Sequence, residues 1–245
     1  MTTLTPKTYI YAHRGACAYA PENTLIAFAT AIEMEADGIE LDVHFTKDGR
    51  VVVIHDDKID RTSNGQGKVS DYTYEELLAF DFGYKFYNEI RGIKIPTLEQ
   101  VYELIAPTDL IVNVELKVNS PKIAAACVEI AKKYGMEKRV IYSSFTHSLL
   151  MFAKEADPDA FVAPLYKDMV KVWDYCENIG AAATHPEKGQ LTRIPDLVEK
   201  CHEKGIRVHP WVPNSEEDIR ALIDAGCDAI ITNCPDVAKR VRDQI

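Results

Sequence analysis

No apolar run in this sequence approaches the roughly 18 residues that span a bilayer, which argues against a transmembrane helix and against stable membrane insertion. Cys-x-x-Cys pairs are missing too. Cys17, Cys127, Cys176, Cys201, Cys227 and Cys234 are scattered, so free thiols in a reducing compartment are a more economical expectation than a disulfide framework. Positive charge is scarce: Lys and Arg total 28 against 38 Asp and Glu, a formal charge of -10. That balance argues against a nucleic-acid surface or a polybasic membrane contact. The opening Met-Thr-Thr-Leu-Thr-Pro-Lys lacks the apolar stretch of a secretory signal, and a cytoplasmic location is expected. Internal repeats and low-complexity tracts are not visible.

What is present is an ordinary globular composition over 245 residues, 47% hydrophobic and 27% charged, long enough to bury a full core. Strand-like runs fall at 9–13, 38–44, 110–117, 139–144, 161–165, 181–184, 206–211 and 229–232, with amphipathic stretches between most of them. Asn23 or Thr24 caps the first helix, Ser120-Pro121 opens another, and Ser215 with Asp218 resembles a capping box closed by Gly226. Eight strands, each followed by a helix, predict an α/β fold of the (β/α)8 TIM barrel type, one domain over 1–245. One segment breaks the rhythm. Asp48-Gly49 predicts a hairpin that returns residues 51–55 antiparallel to the second strand. Residues 56–96 then form a small insertion on the rim with one short helix, too small for a core of its own.

Polar residues interrupt or close several apolar runs, where they cost folding energy unless paired or metal-bound. Strand alternation puts Glu40, Asp42 and His44 on one face of the second strand, and Asn113, Glu115 and Lys117 on one face of the third. In a barrel those faces point inward at the mouth, where barrel enzymes keep their sites. With Asp48-Gly49 as a two-residue loop, Lys47 pairs with Arg50 and His55 falls opposite Asp42. His13 shares a face with Tyr9 and Tyr11. Three converging carboxylates raise one another's pKa unless a hard cation joins them. All-oxygen donors suit Mg²⁺ or Ca²⁺ better than zinc, with Mn²⁺ a further option. Neither histidine is needed as a ligand, which frees both for proton transfer.

His13-Arg14-Gly15, Pro21-Glu22-Asn23-Thr24, Glu40-Leu41-Asp42-Val43, Thr46-Lys47-Asp48-Gly49, His55-Asp56, Arg61-Thr62, Ile95-Pro96-Thr97-Leu98, Glu115-Leu116-Lys117, Ser143-Ser144-Phe145 and Trp211 run in the order of the glycerophosphodiester phosphodiesterase family, which the chain resembles over essentially its whole length. The resemblance implies a phospholipase-C-like barrel with an insertion after the second strand. It implies one divalent cation held by Glu40, Asp42 and Glu115, and an acid–base pair of His13 and His55. Arg14 and Lys117 correspond to the family's phosphate-binding cations, and Trp211 to an aromatic wall of its glycerol pocket. The expected reaction is metal-dependent hydrolysis of small glycerophosphodiesters, such as glycerophosphocholine or glycerophosphoethanolamine, to glycerol 3-phosphate and an alcohol. Departures from the family pattern are Val212-Pro213-Asn214 after Trp211, Asn233 where Asp is common, and Glu35 where Gly commonly ends the first helix.

Blander readings apply elsewhere. His209 is expected to fill the barrel interior, His44 to be solvated at the rim, and Asn23 to be a helix cap. Asp56 is expected to face away from His55 by alternation, and the cysteines to be small buried hydrophobes. Two rival functions are a phospholipase-type lyase that stops at a cyclic phosphate and a non-catalytic phosphate-binding barrel. Head-group preference and oligomeric state are not encoded in any recognisable feature.

Overall fold

A computed structural model describes residues 7–86 and 90–245; the opening residues 1–6 and residues 87–89 of the rim segment lie outside the described ones. Eight parallel strands form the barrel: β1 (Tyr9–Ala12), β2 (Gly38–Phe45), β4 (Ile111–Leu116), β5 (Val140–Ser144), β6 (Phe161–Tyr166), β7 (Ala183–Pro186), β8 (Arg207–Val208) and β9 (Ala229–Thr232). They pair in the order β8-β7-β6-β5-β4-β2-β1-β9, with β3 (Val51–Val53) antiparallel on β2. The ring is closed by Asp228 donating to the Val208 carbonyl and Ile231 to the Pro210 carbonyl, each at 3.0 Å. β8 is shorter than the run 206–211 predicts because Pro210 supplies no ladder donor. β7 sits two residues later than predicted, since its small and polar run hides the boundaries.

Helices cover the outside: α1 (Leu25–Glu33), α3 (Leu98–Ile105), α4 (Pro121–Lys133), α5 (Ser148–Ala156), α6 (Val172–Ile179), α7 (Gln190–Arg193), α8 (Leu197–Glu203), α9 (Glu216–Asp224) and α10 (Pro235–Arg242), with α2 (Tyr74–Leu77) in the rim segment. The amphipathic stretch over 194–204 predicts one helix; α8 begins only at Leu197, past Pro195, and the short α7 precedes the stretch. Thr24 caps α1, whereas Ser215 caps α9 without a returning Asp218 side chain, which pairs instead with Lys188. Among the described residues, no helix is long and apolar enough to cross a membrane.

Apolar burial divides into three clusters. The largest lies between strands and helices, around Ile39, Leu41, Val112, Val114, Leu98 and Leu149. A second fills the barrel interior with Tyr11, Ile141, Ala163, Ala183, Ala229 and Ile231. Gly38 makes room for it, because a side chain there would meet the Tyr11 ring at 2.7 Å. The rim segment, expected to lack a core, has a small one: Ile59, Val69, Leu77, Phe82 and Ile95 bury against Val52 and Ile54 of the hairpin. It succeeds at that size because β3 lends it one face.

The hairpin also corrects the predicted register. Val43 pairs with Val53 and Phe45 with Val51, and Ile54 donates to the Asp42 carbonyl at 2.9 Å, so Asp42 faces Ile54 and not His55. Thr46 donates to the Arg50 carbonyl at 3.0 Å, making Lys47-Asp48-Gly49 a three-residue loop. Gly49, at φ +78°, takes the left-handed position such loops require.

Candidate active site

The C-terminal strand ends gather seven of the eight residues singled out from sequence. Glu40 and Asp42 point inward from β2, and register places Glu115 of β4 directly beside Asp42. All three carboxylates are buried, and one oxygen of each lies within 4.8 Å of the others. Lys117, just past β4, places Nζ at 2.9 Å from Glu115 Oε1, 3.1 Å from His55 Nε2 and 3.5 Å from Asp42 Oδ1. Arg14 enters from the other side in a left-handed conformation, φ 54°. Such backbone costs energy in a residue with a side chain, and here it turns the Arg14 amide to donate to Glu40 Oε2 at 2.9 Å. Gly15 continues the turn because a side chain would strike Ala27 at 2.7 Å.

The two predicted acid–base histidines are held alike. His13 Nδ1 lies 2.6 Å from Asn233 Oδ1, leaving Nε2 at 3.9 Å from Glu40 Oε2. His55 Nδ1 lies 2.6 Å from Asp56 Oδ1, and its Nε2 faces Lys117. Cys17 donates its thiol to the same Asn233 oxygen at 3.0 Å, so that amide presents its carbonyl to both neighbours and His13 carries its proton on Nδ1. Burial, with the nearby Arg14 charge, lowers the His13 pKa to about 4 against the Asn233 hydrogen bond.

Charge is unevenly distributed over the acids. Burial, then the charges of Asp42 and Glu115, push Glu40 well above the usual carboxylate range. Burial and Asp42 likewise raise Glu115, to about 8. Burial would raise Asp42 also, but Lys117, Arg14, His55 and a hydrogen bond from Asn23 outweigh it and hold Asp42 at about 2. Burial opposes the Lys117 charge, and Asp42 and Glu115 more than compensate. Asp42 Oδ1 is buried with no hydrogen-bond donor. An anionic oxygen without a donor, between two further carboxylates, is a donor set that fits a hard divalent cation.

Trp211 stands elsewhere on the rim. Its indole donates to the His185 carbonyl at 2.9 Å and meets the half-exposed Phe145 ring edge-on at 5.5 Å. Among the described residues, none of its hydrogen bonds joins it to the acid cluster.

The model of the glycerophosphoryl diester phosphodiesterase family matches residues 13–237. The chain belongs to that family. It is 44% identical to a glycerophosphodiester phosphodiesterase of Caldanaerobacter subterraneus subsp. tengcongensis over 94% of this chain and 96% of the relative. A Bacillus altitudinis glycerophosphodiester phosphodiesterase is 40% identical over 97% and 99%. Among solved structures, a glycerophosphodiester phosphodiesterase of Agrobacterium tumefaciens superposes with TM-score 0.86 at 28% identity, covering 95% of this chain and 99% of that one. An Oleispira antarctica phosphodiesterase in complex with the product sn-glycerol-3-phosphate superposes with TM-score 0.85 at 25% identity, over 97% of each chain. Family membership makes the chain an enzyme of phosphodiester hydrolysis, on the TIM barrel that the strand count predicts.

Several neighbours of the family's site residues escape sequence reasoning. Asp56 does not face away from His55, because the chain leaves the ladder after Ile54 and alternation stops applying. Asn23, at φ 57°, is not the cap: its side-chain amide donates to Asp42 Oδ2 at 2.8 Å. His44 is not solvated but buried, its Nε2 3.1 Å from the His55 carbonyl. Four cysteines are buried as expected, while Cys17 and Cys234 are half-buried. The sequence signal that could have found Asn233 is its departure from the family's aspartate.

Proposed function

We propose that this chain hydrolyses small glycerophosphodiesters, glycerophosphocholine and glycerophosphoethanolamine among them, to glycerol 3-phosphate and the free alcohol, with one divalent cation and two histidines. The observation that carries the proposal is the convergence of three buried carboxylates with two imidazoles whose Nδ1 atoms are both bonded to side-chain oxygens, at 2.6 Å. Glu40, Asp42 and Glu115 would hold Mg²⁺, Ca²⁺ or Mn²⁺, and the bound ion would neutralise charge on the phosphate's non-bridging oxygens and orient it. Arg14 and Lys117 bind those oxygens as well, concentrating positive charge that the chain as a whole lacks. With Nδ1 anchored, each histidine works through Nε2. One takes a proton from the attacking hydroxyl, of water or of the glycerol 2-position, and the other delivers one to the alcohol oxygen as its bond to phosphorus breaks; on the second route water then opens the cyclic phosphate to glycerol 3-phosphate. Trp211 and Phe145 form an aromatic wall for the substrate's apolar edge. From the free cysteines we further propose a cytoplasmic location, and we propose one domain over 1–245.

A panel of glycerophosphodiesters, assayed after EDTA treatment and again after adding back each cation, tests this. Loss and restoration of turnover is expected. Intact substrate with every cation would leave the non-catalytic barrel as the better account, and an accumulating cyclic phosphate in the phosphorus NMR spectrum would favour the lyase.

A further inference from the structure

Arg61 lies in the rim insertion, outside the barrel, yet its guanidinium reaches both sides of the site. Nε donates to Asp56 Oδ2 at 2.7 Å, while the two terminal nitrogens donate to Glu22 Oε2 and Oε1, each at 2.7 Å. One cation thereby occupies three of the four oxygens of two carboxylates. The fourth, Asp56 Oδ1, is the atom that meets His55 Nδ1 at 2.6 Å. Glu22 Oε1 is shared, accepting from Arg14 at 2.9 Å as well. A continuous path therefore runs from His55 through Asp56, Arg61 and Glu22 to Arg14.

The turn that carries Arg61 is fixed independently. Ile59 and Ser63, on either side, are fully buried. Ser63 donates both its amide and its hydroxyl to the Ile59 carbonyl, at 3.0 and 2.7 Å. Ile59 donates in turn to the Gly67 carbonyl at 3.0 Å. The Arg61 side chain itself is 46% exposed. Ion pairs so placed contribute little to global stability, but a bidentate fork imposes direction on the carboxylates it holds.

We propose that Arg61 is a positioning residue, which locks the imidazole of His55 and the guanidinium of Arg14 into one arrangement and makes the rim insertion part of the catalytic apparatus. This rests on the reading of His55 and Arg14 as acid–base and phosphate-binding groups. Without Arg61, Asp56 swings with His55 and Glu22 swings with Arg14, so neither group is held in place for a phosphate. The first effect falls on kcat and the second on KM. Lysine cannot replace the fork, because an ammonium is a point charge that does not span both carboxylates in that geometry.

Steady-state kinetics on glycerophosphocholine with cation present, beside thermal unfolding, tests the proposal. Arg61→Ala is expected to lower kcat and raise KM by about tenfold each, the scale of losing an orienting partner, with an almost unchanged unfolding temperature. Arg61→Lys should fall between the two proteins. The near-isosteric Asp56→Asn and Glu22→Gln should divide the effect, the first acting on kcat and the second on KM, which keeps the test informative if Arg61→Ala does not fold. Adding Arg61→Ala to the Asp56→Asn and Glu22→Gln pair should cost little more, because all three act along one path. Parental kinetics in Arg61→Ala, or losses that multiply independently, would overturn the proposal while leaving the site reading intact. Parental turnover in His55→Ala would instead overturn the site reading.

Discussion

Two histidine pairs share the interior of this barrel, and their surroundings differ. At the mouth, His13 and His55 each bond a side-chain oxygen through Nδ1 and turn Nε2 toward charged groups. Deeper in, His185 Nε2 and His209 Nδ1 bond each other at 3.1 Å, and His209 meets Tyr11 edge-on at 5.6 Å. Both are buried, and His185 Nδ1 has no hydrogen-bond partner. Burial pushes the His185 pKa down to about 3 and that of His209 downward too. The deeper pair is packing material that happens to be polar, as expected of His209. On the proposed reading, what sets a mouth histidine apart is what its far nitrogen touches, not its lying in a barrel.

The largest test of that contrast is mutational. His13→Ala and His55→Ala should each lower kcat about 10²–10⁴-fold, the usual contribution of a positioned acid or base, with little change in unfolding temperature. His185→Gln and His209→Gln should do the reverse, losing stability while turnover stays near parental; kinetics and calorimetry on the four variants decide it. On the proposed reading, cation binding falls to the carboxylates at the mouth. Glu115→Gln should weaken Ca²⁺ affinity by at least about tenfold through loss of a charged donor, whereas His185→Gln should leave it unchanged in a calorimetric titration. Asn233→Ala probes the anchoring of His13 and should lower kcat by about tenfold at unchanged cation affinity, again measured by kinetics and titration.

The smallest effect is on stability against pH. Because His185 is held neutral, with its folded pKa below the ordinary 6.5, the unfolded chain binds more protons between that value and about 3. The contribution of neutral His185 is complete above 6.5 and is lost as pH falls toward 3; His209 acts in the same direction. The unfolding temperature should therefore decline across that acidic window, and His185→Gln should flatten the decline.

Much of the barrel was legible because strand and helix periods alternate cleanly along the chain. The inward placement of Glu40, Asp42, Glu115 and Lys117 followed from alternation alone. Legibility failed where regular backbone ends. The Lys47-Asp48-Gly49 loop holds one residue more than the Asp48-Gly49 signal implies, which moves the register by one. Past Ile54 there is no strand, so alternation could not reveal that Asp56 turns back on His55. Asn23 reads as a cap by composition, yet its left-handed backbone sends the side chain to Asp42, a contact between residues 19 apart that no local pattern encodes. The rim segment's core was hidden because Val52 of β3 and Ile54 just past it supply the face it packs against. Glu35 keeps its positive φ, 56°, where the family commonly has glycine, and an ion pair with Lys239 at 3.1 Å is what its side chain gains there.

On the proposed reading both mouth histidines are anchored at Nδ1 and work through Nε2. Long-range ¹H–¹⁵N NMR of the imidazoles, on protein saturated with a divalent cation near neutral pH, measures this directly. His13 is expected to carry its proton on Nδ1 toward Asn233 and leave Nε2 bare, His55 to carry a proton on Nδ1 toward Asp56, and His185 and His209 to be neutral. A His13 or His55 protonated on Nε2 alone, with Nδ1 bare toward its oxygen partner, would contradict that reading.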